Sequence, residues 1–231
     1  MSALLTRWRT AAQSLPLSAT TGSPAGSTAG PLTGPAADAD LDRAGQDLIA
    51  RWTEPHRRYH TVDHLVSMLD VIDRHADVAA DADAVRVAAW FHDAVYDPQA
   101  PDNEERSVAL AERMLDDLGA TDDARAEVCR LIRLTVGHDP APDDRNGALL
   151  ADADLAVLAT DPATYAGYAA AVRAEYAHVP DDAFRVGRSA VLRRLLALPT
   201  LYRIVPARAE WSARARANLH QELTTLSAPT G

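Results

Sequence analysis

The sequence predicts an all-α fold in one helical domain, and three observations carry that reading. Apolar residues recur at helical rather than alternating spacing, aromatic residues make up only 5% of the chain, and Ala and Leu dominate the apolar set. With 231 residues, 47% of them hydrophobic, the chain can bury one sizeable core but not two. Leu4, Leu5, Trp8 and Ala12 predict an N-terminal helix over 1–15 that packs on the rest. Residues 16–37, with four Gly and four Pro among Ala, Ser and Thr, read as a flexible linker. The domain proper is expected over 38–226, with amphipathic helices at about 40–53, 61–78, 83–94, 104–118, 122–136, 147–158, 161–178, 182–198 and 208–225. Pro140 and Pro142 mark the longest break in the second half.

All 23 basic residues are Arg, against 33 acids, which leaves a formal charge of −10. That balance disfavours general binding to nucleic acid or an anionic membrane. An anionic small molecule would have to meet a local Arg cluster and a metal ion. The single cysteine, Cys129, excludes an internal disulfide. Residues 1–37 lack acids and carry Arg7 and Arg9, as a transit peptide can, but a first helix and a linker explain them more simply. No apolar run has the length of a membrane span, so a cytoplasmic location is expected.

Function is sought where polar residues occupy positions that the helical period reserves for apolar ones. Asp154 stands on a stripe with Leu150, Val157 and Leu158. A buried carboxylate there needs a partner, either an Arg or a metal. His92 continues the stripe of Val85, Ala88 and Ala89, with Asp93 directly after it. In YHTVDH, His60 and His64 stand four residues apart, one helical turn, with His64 on the buried arc beside Met68 and Val71. Asp63, Asp70 and Asp77 form the solvated side. His138 ends the inward face of Leu131 and Thr135, as a capping or supporting residue or as a ligand. Glu104, in DNEERS, is either a ligand for a second ion or water or a solvated helix start, and Glu210, Arg214 and Asn218 read as a helix-surface network.

Taken in order, His64, His92-Asp93 and Asp154 resemble the H…HD…D signature of the HD-domain superfamily of metal-dependent phosphohydrolases. RRYHTVDH, WFHDAVYDP, DNEERS, DADLAVL and VRAEY are similar to a small bacterial group of predicted phosphohydrolases within it, over about residues 40–223. The resemblance implies His64, His92, Asp93 and Asp154 as ligands of a divalent metal ion (Mn, Fe, Co, Ni, Zn or Mg). It also implies hydrolysis of a phosphate ester or anhydride in a small phosphorylated molecule, a nucleotide among the candidates. YHTVDH is also similar to the YHNxxH element of cyclic-nucleotide phosphodiesterases, which implies that His60 donates a proton. Thr61 replaces the Asn, so cyclic-nucleotide specificity does not carry over. DADL is similar to the ADL segment of those enzymes and selects Asp154 over Asp152.

The expected catalytic set is therefore His60, Asp93 and Arg58. Phosphate-binding candidates are Arg58, Arg106, Arg173 and Arg188, with Arg57 beside them. For each Arg the competing explanation is an ordinary surface ion pair. Two rival functions stand: a di-iron oxygenase, with His60, Glu104 or His138 as further ligands, and a non-enzymatic nucleotide- or metal-binding domain.

Overall fold

The computed structural model describes residues 2–17 and 35–228. Among the described residues there are ten α-helices and no strands, so the chain is all-α. The helices are α1 (Ser2–Gln13), α2 (Pro35–Trp52), α3 (Val62–Arg74), α4 (Ala82–Phe91), α5 (Asn103–Asp117), α6 (Asp122–Leu134), α7 (Arg145–Asp154), α8 (Pro162–Glu175), α9 (Asp181–Ala197) and α10 (Arg208–Ser227). A 3-10 turn, Leu155–Ala159, continues α7. Several starts follow from side-chain caps that satisfy otherwise unpaired amides. Asp81 accepts from the Ala84 amide, Thr121 from Ala124, Asp144 from Gly147, and Asp161 from Ala163 and Thr164 with Pro162 next in the chain.

Helix α4 is the centre of the molecule. Val85, Val87, Ala88, Ala89, Trp90 and Phe91 are all fully buried, so its apolar surface covers most of the circumference and is interrupted by the ion pair of Asp83 and Arg86. Helices α1, α3, α6 and α7 pack around it. Trp8 of α1 sets its ring edge-on to Trp90 and Phe91, and its indole N–H donates to the Leu41 carbonyl. Gly45 of α2 permits this approach, because a Cβ there would lie 2.5 Å from Trp8 Cδ1. The N-terminal helix thus belongs to the core.

Several boundaries differ from the sequence reading: the helices expected over 61–78, 83–94, 147–158 and 161–178 end earlier, at Arg74, Phe91, Asp154 and Glu175. Of the expected linker, 18–34 lie outside the described residues. At its ends, Leu17 bridges to Ala120, the Thr121 amide donates to the Pro16 carbonyl, and α2 already begins at Pro35. Helix α3 starts at Val62 with Thr61 extended before it (φ −110, ψ 178), so His60 precedes the helix that carries His64. The network expected around Asn218 is also different. Asn218 is buried, and its amide donates to the Leu158 and Thr160 carbonyls, closing the 3-10 turn that follows Asp154. Among the described residues no helix is long and apolar enough to cross a membrane.

Candidate metal centre

Three helix ends deliver the site. Helix α3 supplies His64 from its first turn, α4 ends at Phe91 so that His92 and Asp93 follow its last turn, and α7 ends on Asp154. One ligand atom each of His64, His92 and Asp154 lies within 4.8 Å of the others, a grouping able to hold a metal ion. His64 Nε2 is 3.2 Å and His92 Nε2 3.8 Å from Asp154 Oδ1. Asp93 stands against the same cluster, its Oδ2 3.1 Å from His92 Nε2, without belonging to that compact group of three.

The hydrogen bonds on the outer faces determine which atoms face inward. His92 Nδ1 sits 2.9 Å from the Ala89 carbonyl, which can only accept, so Nδ1 carries the hydrogen. Its Nε2 then turns a lone pair towards two carboxylates, an arrangement that is repulsive without a cation. His64 Nδ1 meets the Tyr59 hydroxyl at 3.1 Å, which directs its Nε2 inward too. Both Nε2 atoms are buried and neither has a hydrogen-bond partner, because the nearby carboxylate oxygens are close but not aligned for one. Two orphaned imidazole nitrogens and a carboxylate oxygen converging on one point suit a borderline divalent cation. Without a cation, a proton can take that place. Burial pushes the His92 pKa down, but the charges of Asp93 and Asp154 outweigh it and raise it to about 9. Burial alone favours neutral Asp93, yet the neighbouring histidines hold its pKa far below the usual carboxylate value. Asp154 follows the same pattern through His138 and His64.

Behind these ligands lies a supporting layer. His138 Nε2 donates to Asp154 Oδ2 at 2.7 Å, leaving Oδ1 for the centre. It does so from a left-handed backbone (φ 53) that is costly for a non-glycine residue, a strain typical of functional positions. His60 Nδ1 donates to Glu175 Oε2 at 2.7 Å, which turns its Nε2 towards Asp93 Oδ2, 3.9 Å away. Glu175 is buried at the end of α8. Its Oε1 accepts the amides of Arg58, Tyr59 and His60, and its Oε2 also accepts the Tyr96 hydroxyl. Burial raises its pKa, but His60 and these donors win and hold it at about 2.

The centre opens on a cavity of about 510 Å³ that is lined by His60, His92, Asp93, Asp154, His138 and Glu104, with Arg188 and Arg194. The chain matches no family model, and no curated protein or solved structure matches it.

The expected arginine clamps fare differently. Arg57 is buried, sandwiched between Trp52 and Tyr96, and donates to the His60, Asp93 and Ala94 carbonyls, so it is a strut under the site. Arg58 is exposed and donates to the Pro55 and Arg57 carbonyls; it lines a second hollow, shared with His64 and Asp154, rather than this cavity. Arg106 is also displaced, into a separate hollow beside Tyr96 and Glu175. Arg173 secures the end of α8 through the Tyr176 and Val179 carbonyls and Asp181. Only Arg188 of that set lines the cavity, and Glu222 holds it through both carboxylate oxygens. Arg194, also on the wall, was not singled out from sequence. It has no acidic partner among the described residues.

Asp152 is wholly buried, more so than Asp154, so a position on an apolar stripe does not distinguish them. Their partners do. Asp152 accepts the amides of Arg203, Ile204 and Val205 and anchors that turn. Asp154→Asn is expected to lower metal content sharply, while Asp152→Asn keeps the metal but loses about 1–3 kcal/mol of stability. Metal analysis with urea unfolding checks both, and equal metal loss in the two variants would overturn the assignment.

Proposed function

We propose that the protein is a metal-dependent phosphohydrolase with an HD-type site, acting on a small phosphorylated molecule. The observation that carries this reading is the convergence of the two orphaned nitrogens of His64 and His92 on Asp154 Oδ1, with Asp93 adjoining. A bound divalent ion would supply a water acidified from a pKa of 15.7 towards about 7 and would offset phosphoryl charge. The chain contributes the rest. Asp93, between His92 and His60, orients the attacking water. The attacking water first gives up one proton to solvent. As the resulting hydroxide oxygen bonds to phosphorus and the ester P–O bond breaks, His60, entering the step as imidazolium, delivers its Nε2 proton to the departing oxygen, giving an alcohol and inorganic phosphate and leaving neutral imidazole. Glu175 holds the Nδ1–H of His60 before and after the transfer and so keeps Nε2 as the proton-donating atom.

The oxygenase alternative needs further ligands from His60, Glu104 or His138. His138 Nε2 is occupied by Asp154, and His60 Nε2 stands beside Asp93 and outside the compact group of His64, His92 and Asp154, which favours the hydrolytic reading. The test is removal of metal with a chelator, reloading with Mn, Fe, Co, Ni, Zn or Mg separately, and phosphate release from a panel of phosphomonoesters under anaerobic conditions. Metal-restored phosphate release is the expected result. A protein that binds metal but releases no phosphate from any ester would leave a binding domain, and one that consumes oxygen instead would be an oxygenase.

A further inference from the structure

The cavity that receives the substrate is largely apolar beyond the His/Asp cluster. Its wall there is built by Tyr168, Val172, Val179, Phe184, Val191 and Leu195 from α8, α9 and the segment between them. Val136 and Val191, two of the three large hydrophobic side chains that are exposed among the described residues, both lie on this cavity, at 47% and 39% exposure. Apolar residues left open to water beside a site are what a ligand with an apolar body would cover. Among the described residues no Asn or Gln lines the cavity, so its neutral hydrogen-bonding side chains are the hydroxyls of Thr135 and the tyrosines, and no side-chain amide is available to pair with the edge of a nucleobase. Its positive groups outside the histidines are Arg188 and Arg194. The first is neutralised by Glu222 and lies over the Tyr168 ring, so Arg194 is, among the described residues, the sole unpaired arginine on the wall.

From this we infer that the substrate is a phosphomonoester with an apolar alkyl or aryl body, rather than a nucleotide or a sugar phosphate. The inference rests on the phosphohydrolase reading for its chemistry, but on the wall of the cavity for the substrate. The phosphate lies at the His/Asp cluster and the organic group extends along α8 and α9 towards Val191. Along that wall the further charges of a di- or triphosphate or the hydroxyls of a sugar would find Arg194 and the Tyr168 and Tyr176 hydroxyls but otherwise methyl groups and aromatic rings, so most of their desolvation would go uncompensated. A cavity of about 510 Å³ falls in the size range of ordinary small-molecule sites.

The experiment compares primary-alcohol esters, whose leaving groups are chemically alike: ethyl, butyl and hexyl phosphate, adenosine 5′-monophosphate and glucose 6-phosphate, with manganese-loaded protein. kcat/KM is expected to rise about threefold to fourfold for each added methylene, and hexyl phosphate should exceed the nucleotide by about tenfold or more. Val191→Asp, at an exposed rim position, and Phe184→Ser should each reduce the hexyl-to-ethyl ratio by about tenfold. Calorimetric titration with methylphosphonate and hexylphosphonate repeats the comparison without turnover. If esters are hydrolysed but the ratio is flat, or the nucleotide is preferred, the apolar-substrate inference is overturned and the hydrolase reading stands. If no ester is hydrolysed while hexylphosphonate binds tighter than methylphosphonate, and Val191→Asp removes the difference, the hydrolase reading falls and the apolar subsite stands. No preference in either assay overturns the inference.

Discussion

Alanine at His60 is expected to leave the metal in place and to slow phosphate release from an alkyl ester by about 10²–10⁴-fold, the usual contribution of a general acid. Its Nδ1 is committed to Glu175, and its Nε2 faces Asp93 rather than the group formed by His64, His92 and Asp154. Nitrophenyl phosphate, whose leaving group needs little protonation, should lose much less. His64→Ala removes an inward nitrogen, so its metal content and its activity should fall together on both esters. Glu175→Gln replaces an acceptor-only carboxylate under His60 and should act in the same direction as His60→Ala, more weakly, again with metal retained. Metal analysis of each variant, with rates on the two esters, checks the set. Equal slowing of both esters by His60→Ala would make His60 a positioning residue, and loss of metal would make it a ligand.

The residues that were legible in the sequence are those whose role follows from their own helix. His64, His92 and Asp154 interrupt apolar stripes, and such an interruption is visible without tertiary structure. Glu175 carries the same signal, since Tyr165, Tyr168, Val172 and Glu175 lie on one face of α8 and Tyr165, Val172 and Glu175 are buried. Applying the stripe rule to that helix would have singled it out. The choice between Asp152 and Asp154 was not legible by periodicity, because Asp152 is buried by amides 51–53 residues along the chain. Arginines were the least legible. A long side chain is directed by whichever carbonyl or carboxylate the fold brings near it, as Glu222 is brought to the buried Arg188 from 34 residues away. The off-helix position of His60 did have a local signal, since Thr is a favoured residue just before a first helical turn and Thr61 occupies that place.

Trp8→Ala is expected to cost about 3–5 kcal/mol of folding stability, as deletion of a buried aromatic side chain does. For a chain of this size that corresponds to a fall in Tm of roughly 10 °C. The ring is wholly buried and touches two residues, Trp90 and Phe91, that immediately precede His92. Loosening that contact should therefore also weaken metal binding, although Trp8 lies outside the ligand set. Gly45 supplies the control that separates a packing effect from a general loss of helix α1. In the wild-type chain Gly45→Ala forces a methyl group against Trp8 and Leu5 and should destabilise by about 1–3 kcal/mol. With Trp8 already reduced to alanine, the same methyl group enters space that the indole has left, so its penalty should shrink by about 0.5–3 kcal/mol or change sign. Urea unfolding of the two single variants and the double variant gives this coupling directly. Additive penalties would show that α1 does not pack on α2 through this ring, and an unchanged Tm for Trp8→Ala would place the first helix outside the folded core.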